Sequence, residues 1–428
     1  MRACKIPGLP EKDNNVVDIV SATATTSAIV FIRLSCQALV LVLSVRLLGV
    51  NHYGLITAVV AISLLLGPWG GLGFDFVALR DVSRDSRQAS NYFWLGIRRV
   101  AWSSPLLIVA TLVIVWLWFD NQYRLELVAL ILAAELICLR VTELIAKIFQ
   151  GRDLFNEMAI VRLMNSVTRL AILLPMTFLV SGLTAVQWAA AYFVAAVLSL
   201  LFSLYLLQRK IGIEAPPADY QTDGASDGIH FASGITSARL SSEFDKALVY
   251  GLAGASSAGV YGAGYRLVTL AVAPVISFVN VVVGSLFRMR SDSQRADLSK
   301  KSLLLCAVAS GYGAVVSITL WIFLPAIASN VLGQDFRAVA EGLLPLALLP
   351  VAMSCRLVGE QAMAALDKFR IRTIAQWTVA VIAVTVNFLL IPRIGWTASA
   401  WVLLAGELCL AICYVTAILR SDQMENVV

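Results

Sequence analysis

The chain has 428 residues, 59% of them hydrophobic and only 14% charged, with a formal net charge of +6 and a mean hydropathy of +0.82. A soluble globular protein carries roughly 25% charged residues, so this composition leaves too little polar surface to face water and excludes a water-soluble fold. Six of the seven cysteines (Cys36, Cys138, Cys306, Cys355, Cys409 and Cys413) fall in apolar segments, with no CxxC and no zinc-site spacing, so they read as small core residues.

Uncharged runs define the elements. Residues 100–119, 267–287 and 373–392 are each 20 or 21 residues long without a charge, and 170–208 is 39 residues without one. A transmembrane helix needs roughly 20 apolar residues. Period-two alternation is absent, which leaves helices rather than barrel strands to satisfy the backbone in lipid.

In chain order, residues 1–18 are polar and mixed in charge, without the short apolar core and small-residue cleavage site of a signal peptide. Twelve spanning helices are expected at 19–48, 53–79, 95–119, 124–150, 155–180, 184–210, 229–252, 258–287, 299–325, 338–366, 370–392 and 395–420. Gly67-Pro68-Trp69-Gly70-Gly71 should break or bend the second. Pro175, Pro274, Pro345 and Pro350 also lie inside helices; bends suit the walls of a moving cavity, though static bundles have them too. The one long polar break, 211–228, reads as a linker. It divides the chain into a six-helix bundle over 1–210 and a second over 229–428.

Lys and Arg in the connecting segments set the orientation. One side collects twenty-one, the other only Arg124, Arg337 and Arg393, and the alternation is correct at every loop. The positive-inside rule then puts both termini in the cytoplasm. It also explains the basic balance without any nucleic-acid partner. Trp116, Trp118, Trp321 and Trp396 fall near the expected outer ends, as an aromatic belt would.

The halves repeat. Gly49-x3-Tyr53-Gly54 opens the second span and Gly254-x6-Tyr261-Gly262 the eighth, an offset of 208 between the tyrosines that also maps Arg80 to Arg288 and Arg87 to Arg295. It brings Arg33 of span 1 within two residues of Arg239 in span 7. Both repeats start on the same side, which makes a parallel repeat about an axis along the membrane normal, a transporter architecture; chance matching between apolar helices is the bland alternative.

Charges inside the spans are the candidate site. An ionised side chain at mid-bilayer costs at least about 2.5–3.5 kcal/mol, so such groups face a cavity or a partner. Arg162, Asn165 and Arg169 share one face of span 5, with no acid on that helix beyond Glu157. Arg33 has no acid nearer than Asp18, and Arg266 on span 8 is similar. Another helix, water or an anionic ligand must offset these arginines, and a structural bridge between helices is the competing reading. Arg239 and Glu243, Arg356 and Glu360, Glu143 and Lys147, and Arg140 and Glu143 have the spacing of pairs along one helix. Glu135 and Glu407 are lone mid-membrane carboxylates, able to take up a proton or sodium ion or to pair with an arginine. Asp75, near the end of span 2, suits an interfacial structural role. Arginine stays charged when partly desolvated and forks onto phosphate oxygens, so the pattern points to an anion such as a phosphate or diphosphate.

No GxxxxGK[ST] occurs, so nothing signals an ATPase. His52 and His230 have no Cys or carboxylate at metal-ligand spacing, and neither a metal nor a cofactor is expected. His52 reads as a solvated loop residue. The outer loops are short, which ranks membrane enzymes low.

Arg46-Leu47-Leu48-Gly49-x3-Tyr53-Gly54, then Gly71-Leu72-Gly73 and a basic loop, resembles the start of bacterial polysaccharide transporters. These are the O-antigen and exopolysaccharide flippases of the multidrug/oligosaccharidyl-lipid/polysaccharide (MOP) exporter superfamily. Asp245-Lys246-x4-Gly251 followed by Gly259-x-Tyr261-x3-Tyr265-Arg266-Leu267 resembles their helix 7 to helix 8 signature. One departure is Gly262-Ala263-Gly264, where the family more often has a bulkier, alanine-rich stretch. The resemblance implies an all-α, MATE-like fold of two six-helix bundles forming a V around a cavity. It implies a substrate, an undecaprenyl-diphosphate-linked oligosaccharide moved to the outer leaflet of the inner membrane. It also implies membrane lipid as surroundings, and a polysaccharide polymerase and export machinery as partners. Arg33, Arg239 and Arg266 carry over as cavity positions; Arg162 and Arg169 rest on spacing. The expected function is a flippase working by alternating access and biased by an H+ or Na+ gradient, with Glu135 or Glu407 coupling. The alternatives are a drug or small-cation exporter of the same superfamily and, from another class, a membrane-embedded polymerase or ligase.

Overall fold

The computed structural model describes residues 16–118, 125–179, 183–214, 225–288 and 295–425. Met1–Asn15, most of the expected linker (215–224) and Arg124 lie outside the described residues. No strand occurs among those described.

The chain opens with one continuous run, Val16–Leu66, bent at Gly49, whose φ of 69° and ψ of 174° are not helical. A side chain there would clash with its own backbone, so glycine makes the bend. We call 16–48 α1 and 50–84 α2. Within α2 the helix breaks at the 3-10 turn Gly67–Trp69 and resumes at Phe74–Arg84. Gly71, Leu72 and Gly73 all have positive φ, as the glycine-rich segment requires. The helices that follow are α3 (Ala89–Trp118), α4 (125–151), α5 (Phe155–Leu179) and α6 (Ala185–Ile211). The centre of α4 is a π-helical turn, Ala134–Cys138. A Thr184 capping box starts α6.

The second half begins with α7 (225–253), which covers Ala225–Ser242 and the first residues of the run Phe244–Arg288. That run bends at Gly254 (φ 88°, ψ 172°) and continues as α8 (255–288). It is followed by α9 (Arg295–Ala326), extended by the π turn Ile327–Leu332, then a 3-10 segment, Gln334–Gly342. α10 (Leu343–Ala365), α11 (Phe369–Ile394) and α12 (Thr397–Glu425) complete the chain. Nine segments among the described residues are long and apolar enough to cross a membrane. Two of these, Ala28–Trp69 and Asp227–Val279, contain the bends and so hold two spans each. With α4, whose charges keep it from that tally, they make the twelve helices expected.

α1 and α2 form an out-and-back hairpin. Arg33 lies within electrostatic reach of Glu143 on α4, and Arg140, three residues earlier on the same helix, donates to the Gly67 carbonyl at 3.0 Å. Residues 33 and 67 therefore share one depth, with Gly49 at the far end between them.

The pseudo-two-fold axis is visible at that far end. A Cβ on Gly54 would lie 1.9 Å from the Ala255 carbonyl oxygen, and one on Gly259 would lie 2.1 Å from the Val50 carbonyl oxygen. An offset of 205 exchanges these two contacts, as an isologous interface requires. A Cβ on Gly262 would meet Thr57, its own counterpart at that offset, at 2.5 Å. The bends at Gly49 and Gly254 obey the same offset. The register is thus 205 rather than the 208 suggested by Tyr53 and Tyr261, because three extra residues stand between bend and tyrosine in the second half. The close approach also explains the departure at Gly262-Ala263-Gly264. A Cβ on Gly264 would sit 2.9 Å from Leu346, so both glycines let neighbouring helices in.

Burial differs at the two ends. At the end holding the bends, one apolar core runs across both halves, from Leu55 and Ile56 to Val260, Tyr261 and Phe336. Toward the basic-loop end it divides. Phe74, Tyr92, Phe149 and Leu207 cluster within the first half, and Met363, Leu410, Tyr414 and Ile418 within the second. There α2 still touches α7: Arg80 pairs with Asp227 at 2.6 Å, Phe76 stacks on Phe231, and Trp69 donates to the Thr236 hydroxyl. Trp116 and Trp321 are exposed on the outside, as a belt requires, but Trp396 is buried against Tyr261. It packs in the core and does not face lipid.

Candidate functional site

The break in α2 releases backbone oxygens, and arginines use them. Pro68 has no N–H, so the Leu64 carbonyl four residues earlier loses its helical donor. Arg239 of α7 supplies one, Nη1 to Leu64 O at 2.5 Å. Arg140 caps the neighbouring Gly67 carbonyl and lies 3.9 Å from Asp75. Two cations are therefore held against helix 2 where its own hydrogen bonds lapse.

Around this point a charged network extends between the halves. On the α4 side, Glu143 binds Arg162 of α5 at 2.5 Å, with Lys147 and Arg33 in electrostatic reach. Nearer the bends, Arg169 of α5 donates to the Tyr192 hydroxyl at 2.7 Å and lies over its ring at 4.0 Å. The same hydroxyl donates to Glu135, which stands 3.9 Å from Arg169. Across the gap, Arg266 of α8 faces Glu243, Tyr53, Tyr265 and Tyr192. Glu243 is 3.8 Å from Lys246, which is buried at 2% exposure against Asp245 (2.9 Å) and over Tyr265 (3.4 Å). Tyr261 donates to Asp245 from the other side.

The balance of this network is positive. Arg33, Arg140, Lys147, Arg162, Arg169, Arg239, Lys246 and Arg266 make eight cations; Asp75, Glu135, Glu143, Glu243 and Asp245 make five acids. The side chains of Arg33 and Arg266 form no hydrogen bond or close ion pair among the described residues, and the Arg33 Nε is buried without a hydrogen-bond partner. The Arg169 Nε is also buried and unpartnered, beside a small pocket of about 10 Å³, room for about one water, lined by Val40, Arg169, Leu173, Trp188, Ala191 and Tyr192.

Several expected pairings differ from those observed. Arg239 serves the Leu64 carbonyl and makes no ion pair with Glu243. Glu143 binds Arg162 rather than Arg140 or Lys147, and Lys147 reaches Gln150 instead. An i, i+3 or i, i+4 spacing permits a pair along one helix, but a neighbouring helix offered Arg239, Arg140 and Glu143 a better-aligned partner, and Lys147, losing Glu143, turned to Gln150 on its own helix. Helix 4 thus supplies the acids that α5 lacks. Asp75 sits 11% exposed beside Arg140, inside this network. Glu407 is not alone: Arg356 donates to it at 2.5 Å and to Glu360 at 2.8 Å, and Arg372 closes onto Glu360 at 2.6 Å. Tyr192, which joins Arg169 to Glu135, had no signal in the sequence, since nothing distinguishes a bridging tyrosine from a core one. Lys246 was visible within a motif, without a role.

Outside the membrane-spanning segments, Asp81 at the basic-loop end is held below the usual carboxylate range by its hydrogen bond from Arg80. Arg80 is in turn raised by Asp81 and Asp227.

Comparison with known proteins follows the same lines. The structure is similar to an inward-facing conformation of a multidrug resistance MATE family transporter of the MOP superfamily, with TM-score 0.73 and 16% identity over 93% of this chain and 99% of that one. It is similar to a MOP superfamily transporter from Pyrococcus furiosus, described as having a binding pocket of reversed polarity, with TM-score 0.67 and 15% identity over 94% of this chain and 96% of that one. An outward-facing MATE family transporter gives TM-score 0.64 and 16% identity over 95% of this chain and 97% of that one. At such identities the likeness is one of fold. No curated protein sequence matches the chain. The family model described as polysaccharide biosynthesis protein matches residues 20–290. With well over half the sequence inside that model, the chain belongs to the polysaccharide biosynthesis protein family, a multi-pass membrane protein with the fold of the MOP-superfamily transporters.

Proposed function

We propose that the chain is a flippase that carries an undecaprenyl-diphosphate-linked oligosaccharide repeat unit across the bacterial inner membrane by alternating access. One observation carries this reading: between the halves eight cations meet five acids, and the guanidinium groups of Arg33 and Arg266 make no hydrogen bond or close ion pair among the described residues, only longer-range attraction to Glu143 and Glu243. Guanidinium groups desolvated in this way favour a ligand with phosphate oxygens, which they hold by charge-assisted, forked hydrogen bonds. Arg162, Arg169 and Arg239 border the same space. Each has a protein partner that a diphosphate would share or replace. The prenyl tail stays in lipid between the lobes.

The basic-loop end is assigned to the cytoplasm by its lysines and arginines. The apolar core joins the halves at the opposite end and divides toward the cytoplasmic one, which supports a cavity open inward. The better fit to the inward-facing neighbour than to the outward-facing one points the same way. A drug or small-cation exporter should have a net acidic or apolar cavity, and the excess of cations here argues against it. The Pyrococcus neighbour is described as having a pocket of reverse polarity that suggests a different function, which suits a fold whose pocket differs in polarity between members.

The test is deletion of the gene followed by lipid analysis. Complete lipid-linked repeat units should accumulate on the cytoplasmic leaflet, and R33A or R266A should fail to restore export while reaching the membrane normally. Repeat units found unpolymerised on the outer leaflet would assign the chain to polymerisation instead. Wild-type export by both variants would remove the cationic cavity.

A further inference from the structure

Two buried carboxylates could couple an ion to this transport, and the structure treats them differently. Glu407 is committed. Arg356 bonds it directly, and the surrounding group of Arg356, Arg372, Glu360 and Glu407 is balanced. Glu135 has only a long ion pair, 3.9 Å from Arg169, and among the described residues no charged group hydrogen-bonds it directly. It is tied to Arg169 through the Tyr192 hydroxyl. It also sits in the π turn Ala134–Cys138, a loosened helical geometry frequent at functional positions. Its backbone is tethered from α3 by Ser104, which donates to the Leu136 carbonyl at 2.6 Å.

Tyr192 and three arginines act on Glu135 or on its Tyr192 partner. Tyr192 comes from α6, Arg169 from α5, and Arg239 acts on it from α7. Arg266 of α8 reaches it through Tyr192. Ser104 of α3, which bonds the adjacent Leu136 carbonyl, carries no charge. Arg169, Arg239 and Arg266 are thus also candidate ligands for the diphosphate.

We propose that Glu135 takes up a proton when a diphosphate engages Arg169, so that anion binding and protonation are linked at the Glu135–Tyr192–Arg169 cluster. This rests on the cationic-cavity reading above. Arg169 has a buried, unpartnered Nε beside the small cavity, so a phosphate oxygen approaching there shares its charge. A buried carboxylate deprived of its cation is strongly disfavoured, and neutralisation is the accessible relief. One proton adds to a carboxyl oxygen of Glu135, and none leaves Tyr192 or Arg169. By reciprocity, protonating Glu135 releases Arg169 and tightens anion binding.

The experiment uses the full chain in lipid nanodiscs with inorganic pyrophosphate as probe. Calorimetric titration in buffers of different ionisation enthalpy counts the protons taken up. Wild type should take up more protons than E135Q, and the difference between them cancels the titration of pyrophosphate itself. Wild-type affinity relative to E135Q should fall with rising pH by up to about tenfold per unit, the limit for one linked proton. Equal proton counts would overturn the coupling while leaving the cavity intact. No pyrophosphate binding by wild type would sink the cavity reading and the coupling with it. Should E135Q fail to fold, infrared difference spectra of wild type and Y192F decide. Pyrophosphate should raise a protonated-carboxyl band whose frequency shifts in Y192F, and absence of that band overturns the proposal.

Discussion

Two charged groups within the membrane use the same residue types to opposite ends. In the second half, Arg356, Glu360, Arg372 and Glu407 form a closed set in which two cations face two acids at 2.5–2.8 Å. Between the halves, the cations outnumber the acids, the Arg33 and Arg266 side chains make no hydrogen bond or close ion pair among the described residues, and two other arginines hold backbone oxygens of a broken helix. The first arrangement is complete without a ligand and ties α10, α11 and α12 together. The second is not complete, and what it lacks is negative charge. Buried ionic groups are therefore not evidence of function as such; their balance is.

The sharpest way to break the comparison is to remove one member of the closed set. R356A leaves Glu407 buried without its cation, at a cost of about 3–5 kcal/mol. Thermal denaturation in detergent should show a large loss of stability, whereas R33A should denature close to wild type. Equal losses would erase the distinction between the groups. Next in size is the opposite effect on binding. R33A or R266A should weaken pyrophosphate binding by about 1.5–3 kcal/mol, the worth of a hydrogen bond to a charged group, read by calorimetry. R356A, where it folds, should leave that affinity unchanged. Third, G54A places a Cβ against the Ala255 carbonyl oxygen. Overpacking of this kind costs about 1–3 kcal/mol; it should also open the end where the halves meet, seen as greater labelling of cysteines introduced beside the bends. The smallest effect is expected at the basic-loop end. D227N removes the Arg80 bridge between α2 and α7, a partly exposed pair worth about 0.2–1 kcal/mol. Asp81, lowered by Arg80, contributes stability that is present above its unfolded pKa and lost as pH falls through the lower folded value. Denaturation of D81N should accordingly depend less on pH in the acid range than wild type.

The fold was largely legible beforehand, since uncharged runs, the broken Gly67–Gly71 segment and the basic loops each act through local chemistry. The site was legible in part. Arg33 and Arg266 stood out as cations without a nearby acid in sequence, and the structure gives their side chains no hydrogen bond or close ion pair among the described residues, only longer-range attraction to Glu143 and Glu243. Arg162 stood out for the same reason, yet Glu143 answers it from α4, because the acids a helix lacks can come from any neighbour. The in-helix pairing of Arg239 with Glu243 failed for a related reason: Pro68, 171 positions away in sequence, had freed a carbonyl that Arg239 reaches. The repeat was read three residues out of register because tyrosines are easier to align than the bends that govern the packing.

By itself the sequence determined that the chain lies in a membrane, how many times it crosses, and that its interior carries unusual positive charge, because hydropathy and charge are properties of residues and short runs. Only the tertiary structure decided which charges cancel and where the two halves meet. Those outcomes depend on which helices stand side by side, and a buried charge is settled by its nearest opposite charge or free backbone oxygen, whatever its distance along the chain.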